Sequence, residues 1–298
     1  MYLALAIAAQ FLYAVSVLID RHIVLRAGKI GEPIVYAFYV SFLSGFVVVL
    51  APFVSLPDTK TLMLSFVNAA VFVGAIFCLY SALRHARASD VAPVVGAISA
   101  ITTLVVAGLW IEGDVTSSFV LPVLLLAGGT ALISHFHFSR RAVLFTLLSG
   151  FFFGMVAFTF KLVVLEVPFV DGFFWTRGMN VVLALALLVV PMWRAAILHG
   201  GKRSSSRAKG LVLGNKIIGG VASVLTALAI SLGSVAVVNS LAGLQFVFLF
   251  FFVFLFAKYM PKSDGSRTHG HGGAPSATGV GLIVFGLALL ALGHYFAL

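Results

Sequence analysis

The chain is 298 residues long, 61% hydrophobic and only 9% charged, with a mean hydropathy of +1.15. Soluble domains are roughly half apolar and a quarter charged, so this balance excludes a soluble globular protein and points to residence in a bilayer. The formal net charge of +10 does not imply a nucleic-acid groove, because the cations fall in short stretches between apolar runs.

A membrane-spanning helix needs about 20 apolar residues, and open strand edges cannot be satisfied in lipid. By that measure the sequence predicts an all-α polytopic membrane protein with ten transmembrane helices. Their places are roughly 2–19, 33–54, 62–84, 91–111, 117–135, 142–165, 170–193, 210–232, 235–257 and 278–297. The first has no basic stretch before it and no small-residue cleavage site before Asp20, so no cleavable signal peptide is expected. The single cysteine, Cys78, falls inside the third span and can form no intrachain disulfide.

Fifteen of the nineteen cations lie in odd-numbered loops, among them Arg21, Arg84, Arg140, Lys202 and Lys258. The acids Asp58, Glu112, Asp114, Glu166 and Asp171 gather at the even-numbered ones. The positive-inside rule then predicts cytoplasmic odd loops and both termini outside, in a multi-pass protein of the inner or plasma membrane. The stretches 198–209 and 259–277, rich in Gly and Ser, read as cytoplasmic linkers.

Two parts of the chain echo each other. Tyr80 to Asp114 reads as the end of one apolar helix, a turn containing Ser89-Asp90, and a second apolar helix. Ala82-Leu83 and Val91-Ala92 match Ala227-Leu228 and Val235-Ala236, with only Leu232-Gly233-Ser234 between the eighth and ninth spans. Likewise Arg21 to Leu25 matches Lys161 to Leu165, and Pro52 falls opposite Pro191. The sequence thus divides into two five-helix repeats, 1–137 and 138–298. An odd helix count forces the second copy to insert upside down, the ground plan of many secondary transporters.

The pattern of helix, tight turn and Gly-rich helix resembles the drug/metabolite transporter superfamily, specifically its EamA-like ten-helix branch. The resemblance implies a permease or exporter with spans one to four and six to nine around a central cavity. It also implies that helices five and ten lie at the periphery and mediate a homodimer. Their small residues, Gly128-Gly129 and the seven-spaced Gly279, Gly286 and Gly293, provide smooth packing faces.

Polar residues inside spans are the default site candidates, because an unpartnered polar group in hydrocarbon is costly. The substrate-binding candidates are Gln10, Tyr13, Tyr39, Asn68, Arg177, Asn180, Asn215, Lys216, Asn239 and Gln245. Arg177 and Asn180 stand one turn apart on one face of the seventh span. Arg177 is expected to reach the outer surface or Asp171 if it is not a ligand; Lys161 is expected to pair with Glu166. All nine acids fall at or near the ends of the expected spans. The small multidrug exporters of the superfamily use an intramembrane Glu, which this chain lacks. Intramembrane cations favour instead a small polar metabolite bearing a carboxylate or phosphate, anionic or zwitterionic, moved by alternating access.

No cofactor or catalytic metal is expected, and no nucleophile–base pairing or HExxH motif suggests an enzyme. Two alternatives stand: a non-transporting membrane scaffold whose polar residues pair off between helices, and a metal-cation transporter using His135, His137, His269 and His271.

Overall fold

The computed structural model describes residues 1–27, 32–86, 88–133, 139–200, 206–255 and 273–296. Their regular structure is helical throughout: α1 (Tyr2–Ala27), α2 (Pro33–Leu43), a 3-10 segment (Ser44–Phe53), α3 (Thr59–Leu83), α4 (Ala88–Trp110), α5 (Ser117–Leu132), α6 (Arg140–Glu166), α7 (Phe169–Leu187), α8 (Pro191–Gly200), α9 (Ser206–Leu232), α10 (Val235–Ser240), a short 3-10 turn (Leu241–Gly243), α11 (Leu244–Leu255) and α12 (Gly273–Phe296). Four continuous segments are long and apolar enough to cross a membrane: Pro33–Phe53, Thr59–Leu83, Asp90–Trp110 and Arg140–Glu166. The pair α7 and α8 makes a fifth if counted as one broken span, bent by 104°. The apolar parts of the remaining described helices are shorter, as in Tyr2–Val17 and Ser117–Leu132.

The helices depart from the expected spans at particular residues. The second span tightens into 3-10 winding at Ser44, and Pro52 near its end offers no N–H for an α-helical bond. Pro191 does not lie inside the seventh span: α7 stops at Leu187 and Pro191 opens α8, a first-position proline needing no N–H partner. The ninth span is interrupted at Leu241–Gly243, where a side chain on Gly243 would run into the Thr130 hydroxyl. α1 continues past Asp20, which closes the apolar run ending in Leu18-Ile19, as far as Ala27.

Small residues fill the interior and large ones face outward. Ala69, Ala75, Ala107 and Ala229 are fully buried, whereas Val49, Phe53, Leu109 and Trp110 are at least three-quarters exposed. Lipid tails are as apolar as these side chains, so burying bulk gains little and close backbone approach gains more. α6 is the hub, packed against α3 and α4. Gly150 and Gly154, four apart, open its face to α4; a Cβ on Gly154 would stand 2.7 Å from Thr102 Cβ and 2.8 Å from the Ser99 carbonyl. α1 packs along α9, and α2 and α3 pack on α7. α5 and α12 pack on each other so closely that a Cβ on Gly129 would lie 2.7 Å from the Gly279 carbonyl, and one on Gly279 2.7 Å from that of Gly129. The glycine faces of these two helices are therefore occupied within the chain.

Candidate functional site

Arg177 lies eight residues past the start of α7, about 12 Å along its axis at 1.5 Å per residue. Its Nη2 donates to Ser223 Oγ of α9 at 2.9 Å. The guanidinium carbon sits over the rings of Phe173 and Phe72, 5.2 and 5.9 Å from their centroids, an arrangement that steadies a cation out of water. From α1, the Tyr13 hydroxyl hydrogen-bonds with Ser223 and Thr226 and lies within the field of the guanidinium. Arg177, Tyr13, Ser223, Thr226 and Phe72 each keep some accessible surface as whole residues, but the guanidinium and the phenol themselves are buried. Four helices, α1, α3, α7 and α9, thus converge on one positive group.

Among the described residues no carboxylate pairs with Arg177. The ion pairs found there are Lys60–Glu166 at 2.6 Å and Arg84–Glu32 at 2.9 Å, both at helix ends. Asp171, the expected alternative partner, accepts instead from the Ser55 backbone N–H at 3.1 Å. With one hydrogen bond to a neutral hydroxyl, the guanidinium fork retains donors suited to a carboxylate or phosphate.

The other polar candidates are distributed. Asn68 donates from Nδ2 to the Val156 carbonyl and Thr159 Oγ1, both at 2.8 Å, tying α3 to α6. Asn239 donates to Ser99 O at 3.1 Å, Ser99 Oγ at 2.9 Å and Thr103 Oγ1 at 2.6 Å, tying α10 to α4. Tyr39 faces outward, 40% exposed, and its hydroxyl reaches the Ile197 carbonyl of α8 at 3.5 Å. Gln10 and Asn215 are buried on α1 and α9, and Gln245 is half-buried on α11. Lys216 belongs to α9, with its side chain outside the described residues. Asn180 is fully buried, one turn beyond Arg177, and neither of its amide atoms has a hydrogen-bond partner among the described residues.

A second polar centre lies at the break between α9 and α10. Lys161 was expected beside Glu166, but Glu166 pairs with Lys60. The buried Lys161 ammonium instead donates to the Ile230 and Gly233 carbonyls at 3.0 and 2.8 Å, where α9 leaves carbonyls without intrahelical partners. Asp114 completes the junction from the other side. Its carboxylate accepts from Ser234 Oγ, Val235 N and Ala236 N at 3.0, 3.1 and 3.4 Å, capping α10. A cleft of about 310 Å³ opens beside it, with Tyr2, Glu112 and Phe119 on its walls.

His135, His137, His269 and His271 lie outside the described residues. Among the described residues no group of three His, Cys, Asp or Glu side chains is placed to hold a metal ion.

No family model and no curated protein matches the chain. Solved structures do: one described only as "Crystal structure of protein" aligns over 98% of this chain and 98% of its own, at a TM-score of 0.68 and 17% identity. The likeness shows that the helical fold, over its whole length, is that of a solved protein.

Proposed function

We propose that this chain is a secondary transporter of the inner or plasma membrane, resembling the EamA-like branch of the drug/metabolite transporters, that moves a small anionic or zwitterionic metabolite by alternating access. The observation that carries the reading is Arg177: a buried guanidinium in the apolar body, held by neutral groups and two rings, with no described carboxylate beside it. A lone cation in that setting is costly unless an anion visits it.

The ten-span, inverted-repeat form of the reading draws support from the helix pairings. Taking α2 with its 3-10 segment, α7 with α8, and α10 with α11 as single rods gives ten. Exchanging each rod for the one five places on turns the α3–α6 contact into α1–α9, and both are extensive. The α5–α12 and α4–α10 contacts each map onto themselves. The exchange is incomplete: α3 packs closely on both α2 and α7, whereas its counterpart α9 barely touches α7 and makes no comparable contact with α2 among the described residues. That inequality leaves one side of the Arg177 site less closed than the other, as expected of a transporter resting in one of its two states. The two halves are then 1–137 and 138–298, with both termini outside by the charge distribution. A homodimer through α5 and α12 would use their outward faces, such as Leu121 and Phe285, because Gly129, Gly279 and Gly286 are taken up by the contact between the two helices.

The scaffold alternative expects every interior polar group to be satisfied between helices, as Asn68 and Asn239 are. Arg177 reaches Ser223 of α9, but its charge has no described carboxylate to balance it, and that sets the two readings apart. The deciding experiment is a thermal-shift screen of small carboxylates and phosphates on the purified protein, alongside Arg177→Gln. Ligands that bind the folded state raise its melting temperature. At least one anion should stabilise the wild type and lose its effect on Arg177→Gln. Equal shifts in both proteins would remove the anion site.

A further inference from the structure

Asn180 is the largest polar group among the described residues whose side-chain nitrogen and oxygen are both buried without a partner. Its side chain is fully buried on α7, and neither Nδ2 nor Oδ1 has a hydrogen-bond partner among the described residues. Buried amides are almost always satisfied, so an exception calls for an occupant or a function. Asn180 stands three residues beyond Arg177, and residues so spaced are neighbours on a helix face, about 5–6 Å apart at Cβ. A second unpartnered polar group lies on α2, one of the helices packed on α7. Ser41 of α2, fully buried, has an unpartnered Oγ among the described residues. It falls between Phe38, which packs with Ala184, and Gly45, whose Cβ position is 3.3 Å from Val181. Ser41 is therefore at the level of Asn180 or about one turn from it.

We infer that Asn180 is the specificity-determining partner of Arg177 and selects, among small anions, a carboxylate that carries an uncharged carboxamide or hydroxyl group two or three bonds away. This rests on Arg177 being the anion site. The guanidinium offers only donors and takes the carboxylate; the amide offers one acceptor and two donors and takes a neutral hydrogen-bonding group. Charge decides against an ammonium in that second place. Arginine and carboxylate cancel, whereas an added ammonium leaves a net positive charge buried beside the guanidinium with no described acid to balance it. A plain alkyl acid is rejected for the opposite reason, because it leaves the amide as unpartnered as it is here. Because Asn180 is fully buried here, the helices packed on this part of α7 must separate when the ligand binds.

The test is calorimetric binding to the purified full-length protein with three probes of one shape. Succinamate carries carboxylate and carboxamide, 4-methylpentanoate replaces the amide by an isopropyl group, and asparagine adds an ammonium. Wild type should bind succinamate about tenfold or more tightly than either of the others. Asn180→Leu should erase the preference over 4-methylpentanoate, and Arg177→Gln should weaken both carboxylates. Equal binding of the three probes by wild type, or a preference that survives Asn180→Leu, overturns the role of Asn180 and leaves the Arg177 site standing. Failure of wild type to bind any of the three overturns the anion site and this inference with it. The wild-type comparison decides the matter if the leucine variant does not fold.

Discussion

Lys161 Nζ donates to the Gly233 carbonyl at 2.8 Å, reaching from α6 across 72 residues of sequence to the break after α9. A second bond goes to Ile230 O at 3.0 Å. The ammonium thus does for α9 what a C-terminal cap does, while its stem lies along apolar surface. Lys161→Met keeps the stem and removes the donors, leaving two carbonyls unpaired in a buried place. The expected loss is about 1–3 kcal/mol, read as a fall in the melting temperature of the detergent-solubilised protein. Lys60→Met is the control. It breaks an ion pair whose side chains are 61% and 38% exposed, and should cost under about 1 kcal/mol.

The close approach of α5 and α12 makes a second prediction. A Cβ on Gly129 would stand 2.7 Å from the Gly279 carbonyl and 2.9 Å from Ile283 Cγ1. Backbone cannot yield as the end of a flexible side chain can. Gly129→Ala should therefore cost about 1–3 kcal/mol through forced separation of the two helices. Gly128→Ala, one residue away, meets nothing within 4 Å and should be neutral or slightly stabilising in a thermal melt. Equal effects of the two substitutions would contradict this packing.

These features mark the limit of what local sequence conveys. The split at Leu232-Gly233-Ser234 was legible through the echo of Ala82-Leu83 and Val91-Ala92 in Ala227-Leu228 and Val235-Ala236, and Ser234 does cap α10 through its side chain. Arg177 was legible as a charge inside a span. Its companions Ser223 and Thr226 were not, since small hydroxyls are frequent in membrane helices and only the packing of α1 on α9 brings them to Tyr13. A hydropathy average cannot tell 3-10 from α winding, so the tightening at Ser44 and the 104° bend before Pro191 left no mark on it. Assigning Lys161 to the nearest acid in sequence failed because Lys60, 106 residues from Glu166, arrives at the same helix end.

The polar bridge between α4 and α10 offers a third prediction. Asn239 Nδ2 lies within 3.1 Å of Ser99 O, Ser99 Oγ and Thr103 Oγ1, and Thr103 Oγ1 also donates to Ser99 O at 2.8 Å. Interhelical amide bonds of this kind contribute about 0.6 kcal/mol each on average, up to about 1.7. Asn239→Leu should lower thermal stability by about 1 kcal/mol and leave ligand-induced shifts intact, because the amide is bound to protein and not offered to a substrate. Loss of every ligand shift at unchanged stability would instead move Asn239 into the binding site.

Acid sensitivity at the start of α3 gives the last prediction. Asp58 caps this helix, accepting from the Thr61 N–H at 3.0 Å. The Thr61 hydroxyl beside the carboxylate, and then this N–H, hold the Asp58 carboxyl below its ordinary value. A carboxyl depressed in the folded state contributes stability above its unfolded pKa, near 4, and loses it as pH falls through the lower folded value. The group is fully exposed, so the effect is local fraying of the first turn and not global unfolding. Amide exchange at Thr61 and Leu62 should accelerate below about pH 4, beyond the intrinsic pH dependence of exchange. Asp58→Asn, which can still cap but cannot titrate in this range, should abolish that excess. An unchanged acid response in Asp58→Asn would take the sensitivity away from this cap.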